Sequence, residues 1–142
     1  KAPSLDPKNR PWSVRAVVRA DAPDGIILAR GGRSEGYCLF VKAGLPSFAV
    51  TARNKTTTIT GTAPVTGKWV ELVARIHADK SVSLTVDDQI AAKGQLPGFI
   101  AADPNDGMQI GTDGRTTVVS GNLPDFSGLI ESVQLYSGEL KR

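Results

Sequence analysis

Apolar residues recur along this chain with a period of two. From Trp12 to Ala20 the even positions are Trp12, Val14, Ala16, Val18 and Ala20, while Ser13, Arg15 and Arg19 take odd ones. Successive side chains of a strand point to opposite faces, so this alternation predicts a half-buried strand. The rhythm returns from Trp69 to His77, where Val70, Leu72, Ala74 and Ile76 face one way and Glu71, Arg75 and His77 the other. It returns once more in Ser81 to Val86, through Val82, Leu84 and Val86. Gly25 to Arg30 is an apolar run and predicts a central strand, followed by strands over Gly36 to Lys42 and Ser47 to Ala52. Asn54 to Thr60 reads NKTTTIT, a Thr-rich stretch with few apolar groups, which predicts an edge strand. Asp87-Asp88 makes a tight connection to Gln89 to Lys93. Met108 to Gly111 predicts a short strand and Phe126 to Tyr136 a closing one. Within that last run Ile130 and Val133 cannot both face inward at strict period two, so a bulge near Glu131-Ser132, or burial of both faces, is expected.

The punctuation fits. Pro23-Asp24-Gly25, Ala43-Gly44 and Ala78-Asp79-Lys80 are turn formers between the runs. Gly94 to Gly107 and Thr112 to Pro124 are rich in Gly, Pro and Asp and are expected to be long loops. About ten strands at this spacing predict an all-β fold, a two-sheet antiparallel jelly-roll sandwich. It is expected to span 12–137, after a polar lead-in at 1–11 and before a tail at 138–142.

Composition narrows the field further. A chain of 142 residues suits one domain, burying roughly 70% of its unfolded surface without help from a metal or disulfide. Fifteen Gly and nine Pro argue for turns over helices. The single cysteine, Cys38, excludes an internal disulfide, and its neighbours Tyr37, Leu39 and Phe40 suggest a packed thiol. No apolar run approaches the ~20 residues of a membrane-spanning helix, so no membrane insertion is expected. The net charge is +3, but the basic residues are scattered among acidic ones and form no stripe for tracking phosphates, which argues against nucleic acid. The chain opens at Lys1 with neither an initiator Met nor an apolar signal segment, as a processed protein or an excised piece would.

Candidate chemistry is sparse. His77 is the only histidine and lies on the polar side of a strand beside a turn, as a hydrogen-bonding surface group would, with no nucleophile motif near it. The four Glu, at 35, 71, 131 and 139, lie far apart, and none has an acidic residue two positions away, so the paired carboxylates of a jelly-roll glycoside hydrolase are missing. Asp103, Asp106 and Asp113 offer the hard oxygens calcium takes, although they equally serve as turn formers and lack EF-hand spacing. Arg33, Tyr37, Asp113 and Arg115, in or beside the Gly-rich stretches that also hold Arg30, form a candidate ligand site. Guanidinium forks there would meet sulfate, carboxylate or sugar hydroxyls, or would instead pin a loop by ion pairing. Asn54-Lys55-Thr56 matches a glycosylation acceptor pattern without a supporting context.

Several stretches resemble known families. Asp24-Gly25-Ile26-Ile27, Gly31-Gly32-Arg33, and Gly36-Tyr37 with Leu39 and Val41-Lys42 are similar to the DGVI, GGR and GYxLYVKxG run in the C-terminal domain of bacterial arylsulfatase-type proteins. Met108 to Asp113 resembles that domain's DVGxDTG, and Phe126 to Ile130 with Val133 its FTGTIxxV. Lys68 to Leu72 and Leu84 to Asp88 resemble the GKWHHV and LYVDG of laminin-G and concanavalin A-like domains. Cys38, Phe40, Val70 and Asp88 depart from these patterns. The resemblance implies an exported, extracytoplasmic, monomeric module without catalysis of its own. It would serve as a docking or structural domain for a sulfatase-like catalytic partner, or else bind carbohydrate, including sulfated glycans. The sulfatase reaction itself is not implied. Cys38 is followed by Leu39, Phe40, Val41 and Lys42 rather than by the Pro or Ala and the Arg of that nucleophile motif.

Overall fold

In the structure the even residues of the first run, Trp12, Val14, Ala16, Val18 and Ala20, are all at most 4% exposed, as their alternation requires. The computed structural model describes residues 11–31, 36–52, 55–98, 109–110 and 124–137. Ten strands form among them: β1 (Trp12–Ala20), β2 (Gly25–Gly31), β3 (Gly36–Lys42), β4 (Leu45–Ala52), β5 (Lys55–Thr60), β6 (Trp69–Ile76), β7 (Ser81–Val86), β8 (Gln89–Gln95), β9 (Gln109–Ile110) and β10 (Gly128–Ser137). They make two five-stranded sheets, in the orders β10-β1-β6-β7-β8 and β5-β4-β3-β2-β9. Neighbouring strands are antiparallel throughout. The fold is all-β, a two-sheet sandwich, and no helix occurs among the described residues.

Each sheet is closed by the other. The inward residues of β1, β6 and β7 form one core with Leu39, Phe48 and Val50 from the opposite sheet. Trp12 bridges the layers, its ring centroid 4.5 Å from that of Tyr37 and 6.0 Å from that of Phe48. Burying one such large apolar side chain contributes about 1.5–3 kcal/mol, so the sheets hold together through many modest terms. A second cluster, Ile26, Ala29, Cys38, Phe40 and Ala49, is buried on the far face of the second sheet. Strand β3 is therefore covered on both sides, in keeping with its nearly continuous apolar sequence.

The phase break in the last strand resolves as a bulge. Val17 pairs with Ser132 and Val18 with Ile130, so Glu131 has no opposite number. That extra residue lets Ile130 and Val133 both pack on the core. Two hairpins turn through pairs of residues with positive φ: Ala43 and Gly44 at 52° and 80°, Asp87 and Asp88 at 49° and 67°. Both angles positive is the geometry that matches the twist of the flanking strands. Asp87 also accepts the Glu71 backbone N–H at 2.8 Å, which ties the turn back to β6.

Several boundaries differ from expectation. β8 continues through Gly94 and Gln95, where glycine had suggested a loop. The glycine answers a close approach instead, because a Cβ on Gly94 would lie 2.7 Å from Ile59 of β5, where the sheet edges meet. β2 lies inside its sheet, paired with β3 on one side and the two-residue β9 on the other, as expected of a central strand. β6 ends at Ile76, and β10 begins at Gly128.

Gly128 has φ +148°, and a Cβ there would collide with the Arg19 carbonyl. Gly128→Ala is expected to lower unfolding free energy by about 3 kcal/mol in urea titration, combining backbone strain with steric overlap. Gly67→Ala, at φ +78° but with nothing within 4 Å, should cost only about 1 kcal/mol. Equal losses at the two sites would contradict the close approach of β10 to β1.

Candidate functional site

With the even positions of β1 and β6 committed to the core, their odd positions form the outer face of the first sheet. Cross-strand register sets these residues side by side. Tyr136 pairs with Ser13, Ser13 with Arg75, Arg75 with Ser83 and Ser83 with Lys93, one polar side chain from each of the five strands. The neighbouring rows carry Gln134, Arg15 and Thr85, and at the far end Leu129, Arg19 and Trp69.

These groups are tied together. Arg15 forms an ion pair with Glu71 through Nε and donates from Nη1 to Gln134 Oε1 at 2.9 Å, and Tyr136 donates to that same oxygen at 2.8 Å. Arg75, only 8% exposed, donates to Thr85 Oγ1 at 3.1 Å. Arg19 is held by Asp21 through two bonds of 3.0 and 3.3 Å, and its guanidinium carbon lies 5.9 Å from the ring centroid of Trp69. Trp69 is 46% exposed and Leu129 48%. No buried side-chain nitrogen or oxygen among the described residues lacks a hydrogen-bond partner.

At the other end of this face an open depression of about 580 Å³ lies beside the β6–β7 turn, lined in part by His77, Asp79, Ser81, Ser83 and Lys93. His77 Nε2 and Ser83 Oγ share a hydrogen bond of 2.9 Å. Asp79 Oδ1 accepts from the Ser81 hydroxyl and, at 2.9 Å, from the Ser81 N–H. The Ser81 hydroxyl, then the Ser81 amide, hold the Asp79 carboxyl below its usual range, with the nearby His77 a lesser cause and slight desolvation opposing.

A His–Ser contact invites comparison with a nucleophile and its base. Ser83, however, sits mid-strand at 6% exposure, and its backbone N–H lies within a β-ladder rather than aimed at a developing oxyanion. The pair is a hydrogen-bonding element of the face, as the position of His77 had suggested. Glu71 is occupied by Arg15 and Glu131 lies at the bulge, so these two carboxylates are not paired.

The anticipated ligand residues fare differently. Tyr37 is 1% exposed and packed at a tilt against Trp12, so the expectation that it meets a ligand gives way to a core role. Its odd position in β3 faces the other sheet, and that is the physical reason. Arg30, paired with Tyr37 in register, is likewise buried. Arg33, Asp113 and Arg115, and the calcium candidates Asp103 and Asp106, lie outside the described residues. Among the described residues no three His, Cys, Asp or Glu side chains gather as metal ligands would. Sequence reasoning missed the outer-face row and the depression. Their signal was present in the shared phase of Ser13 and Arg15, Arg75 and His77, and Ser81 and Ser83, but not the order in which the strands pair.

Comparison with known proteins places this geometry. The sequence model of the family described as Laminin G domain matches residues 18–138. No curated protein matches the chain. Among solved structures, the CBM40 of Ruminococcus gnavus IT-sialidase bound to α2,3-sialyllactose superposes with a TM-score of 0.73 at 18% identity, covering 94% of this chain and 79% of that one. The same domain bound to α2,6-sialyllactose gives 0.73 at 17% identity, covering 94% and 80%. Domains LG4-5 of the mouse laminin α1 chain give 0.77 at 16% identity, covering 97% of this chain and 40% of that one.

The Asp79 contacts carry a pH consequence. A carboxyl whose native pKa lies below its ordinary value of 3.8 adds stability above the unfolded value and loses it as pH falls through the lowered native one. Carbon-detected NMR titration should place Asp79 below 3.8, and Ser81→Ala should move it upward toward that value. An unchanged titration in Ser81→Ala would refute the assignment of the cause.

Proposed function

Because the chain belongs to the laminin G domain family, we propose that it is a non-catalytic carbohydrate-binding module that takes an acidic glycan on the outer face of its first sheet. The observation that carries this reading is the polar outer face of the first sheet, where Arg15, Arg19, Gln134, Tyr136 and Lys93 are accessible around the buried Ser13, Arg75 and Ser83. Side chains fixed on adjacent strands present donors and acceptors at spacings suited to sugar hydroxyls, with little conformational freedom left to lose on binding. Arg15 and Arg19 pair with Glu71 and Asp21 on this face, and exposed Lys93 favours a carboxylated or sulfated saccharide. Exposed Trp69 adds an aromatic surface at one end. The sialyllactose bound by the CBM40 relatives belongs to the same ligand class. An extracytoplasmic location follows from such a ligand. No helix among the described residues is long and apolar enough to cross a membrane.

A second reading is docking against a catalytic partner of the arylsulfatase type. It is favoured by the run from Asp24 through Lys42 and by the exposed apolar side chains of Ile90, Ile110 and Leu129. The two readings part on a glycan array that includes sialylated, sulfated and neutral sugars. The expected result is retention of acidic glycans over their neutral counterparts, weakening as salt rises, with no turnover of the bound sugar. Retention of no glycan at all, together with copurification of a sulfatase-like chain, would replace the first reading with the second.

A further inference from the structure

One corner of the outer face stays open where its middle is closed. Arg19 pairs in register with Trp69 of β6 on one side and Leu129 of β10 on the other, so three adjacent strands set two apolar side chains around one guanidinium. Trp69 and Leu129 are each nearly half exposed, whereas Ser13, Arg75 and Ser83 are buried. Two strand spacings, about 10 Å, separate the backbones of Trp69 and Leu129. β7 does not run beside Trp69, since its pairing with β6 begins at Leu72 and Val86. Asp21 accepts from Nε and Nη2 of Arg19, and the guanidinium carbon lies 5.9 Å from the Trp69 ring centroid. The two N–H groups of Nη1 bond no described residue, which leaves a donor pair held in place beside an accessible indole. Asp21 offsets the charge of Arg19, and the other exposed charges at these strand ends, Lys68 and Glu131, are of opposite sign. An anion therefore gains little at this corner, while a neutral group with an apolar face and a hydroxylated rim meets both kinds of partner it needs.

We propose that this corner seats a neutral pyranose ring of the bound glycan. The C–H face of the ring packs on Trp69, Leu129 closes the opposite side, and hydroxyls accept from Nη1 of Arg19. This assignment rests on the glycan-binding reading and adds to it a ring-stacking seat distinct from the acidic preference carried by Lys93. Lys93 shares a row with Arg75, six residues along β6 from Trp69 or about 20 Å, so a short sugar occupies the corner alone and only a longer one reaches both.

The test uses the two tryptophans. Trp12 is buried and Trp69 open, so acrylamide should quench mainly the emission of Trp69 in the sugar-free chain. The whole chain is titrated with lactose, 3′-sialyllactose and a hyaluronan octasaccharide, and binding is followed by calorimetry and by quenching. Each sugar that binds should shield Trp69. Trp69→Ala should weaken binding about tenfold and Trp69→Phe by much less, in high salt as in low, because the packing of a ring on an aromatic face is not screened. Arg19→Lys, which keeps the charge and loses the fork, should also weaken it. Lys55→Ala, on the opposite sheet, should leave affinity unchanged. The shielding measurement needs only the unaltered chain, so it stands even where a variant folds poorly. A bound sugar that leaves Trp69 open to acrylamide, or undiminished affinity in Trp69→Ala, would overturn this seat while leaving glycan binding intact. Trp69 shielded without sugar and exposed on dilution would give the corner to a second copy of the chain instead. A wild type that binds none of these sugars, nor any glycan on the array, would remove the glycan reading and this seat together.

Discussion

The contact between the two sheets, with Trp12 packed against Tyr37 and Phe48, is what the rest of the molecule depends on. Neither sheet can keep its apolar face from water alone, and each is covered only by the other. Once the even positions of β1, β6 and β7 are committed to that interior, the odd ones have no choice of direction. The polar outer face is thus a consequence of the core, set by the pleat of the strands and not by any separate requirement of its own.

The two outer faces then diverge. On the second sheet the far side is occupied by Ile26, Ala29, Cys38, Phe40 and Ala49, which makes β3 an interior strand. On the first sheet the far side carries arginines, serines and threonines whose buried atoms are satisfied by one another. Under the proposed glycan reading, this polar face is the ligand's address. Strands also hold side chains more firmly than loops do, so hydrogen-bonding groups here are placed before a ligand arrives. The laminin G family membership and the CBM40 likeness fit this two-sheet sandwich.

The sheet ends are closed by small devices whose effects are large. The Glu131 bulge corrects the phase of β10, and Gly128 and Gly94 permit backbone approaches that any side chain would block. Asp87 and Asp88 take left-handed conformations where glycine would be less strained, with Asp87 compensated by its bond to Glu71. Each adjusts how strands meet without altering which strands exist.

Periodicity and turn residues by themselves determined the all-β class, most strand positions, the edge placement of β5 and the need for an irregularity near Glu131, because these follow from local sterics and from which face must avoid water. The same alternation told which residues point outward, yet not which outward residues meet. Only the tertiary structure decided that Ser83 lies between Arg75 and Lys93, that Tyr37 belongs to the core, and that Gly94 continues a strand. Those facts arise from pairing between segments far apart in the chain, where the partner strand and its register, rather than any local preference, set the outcome.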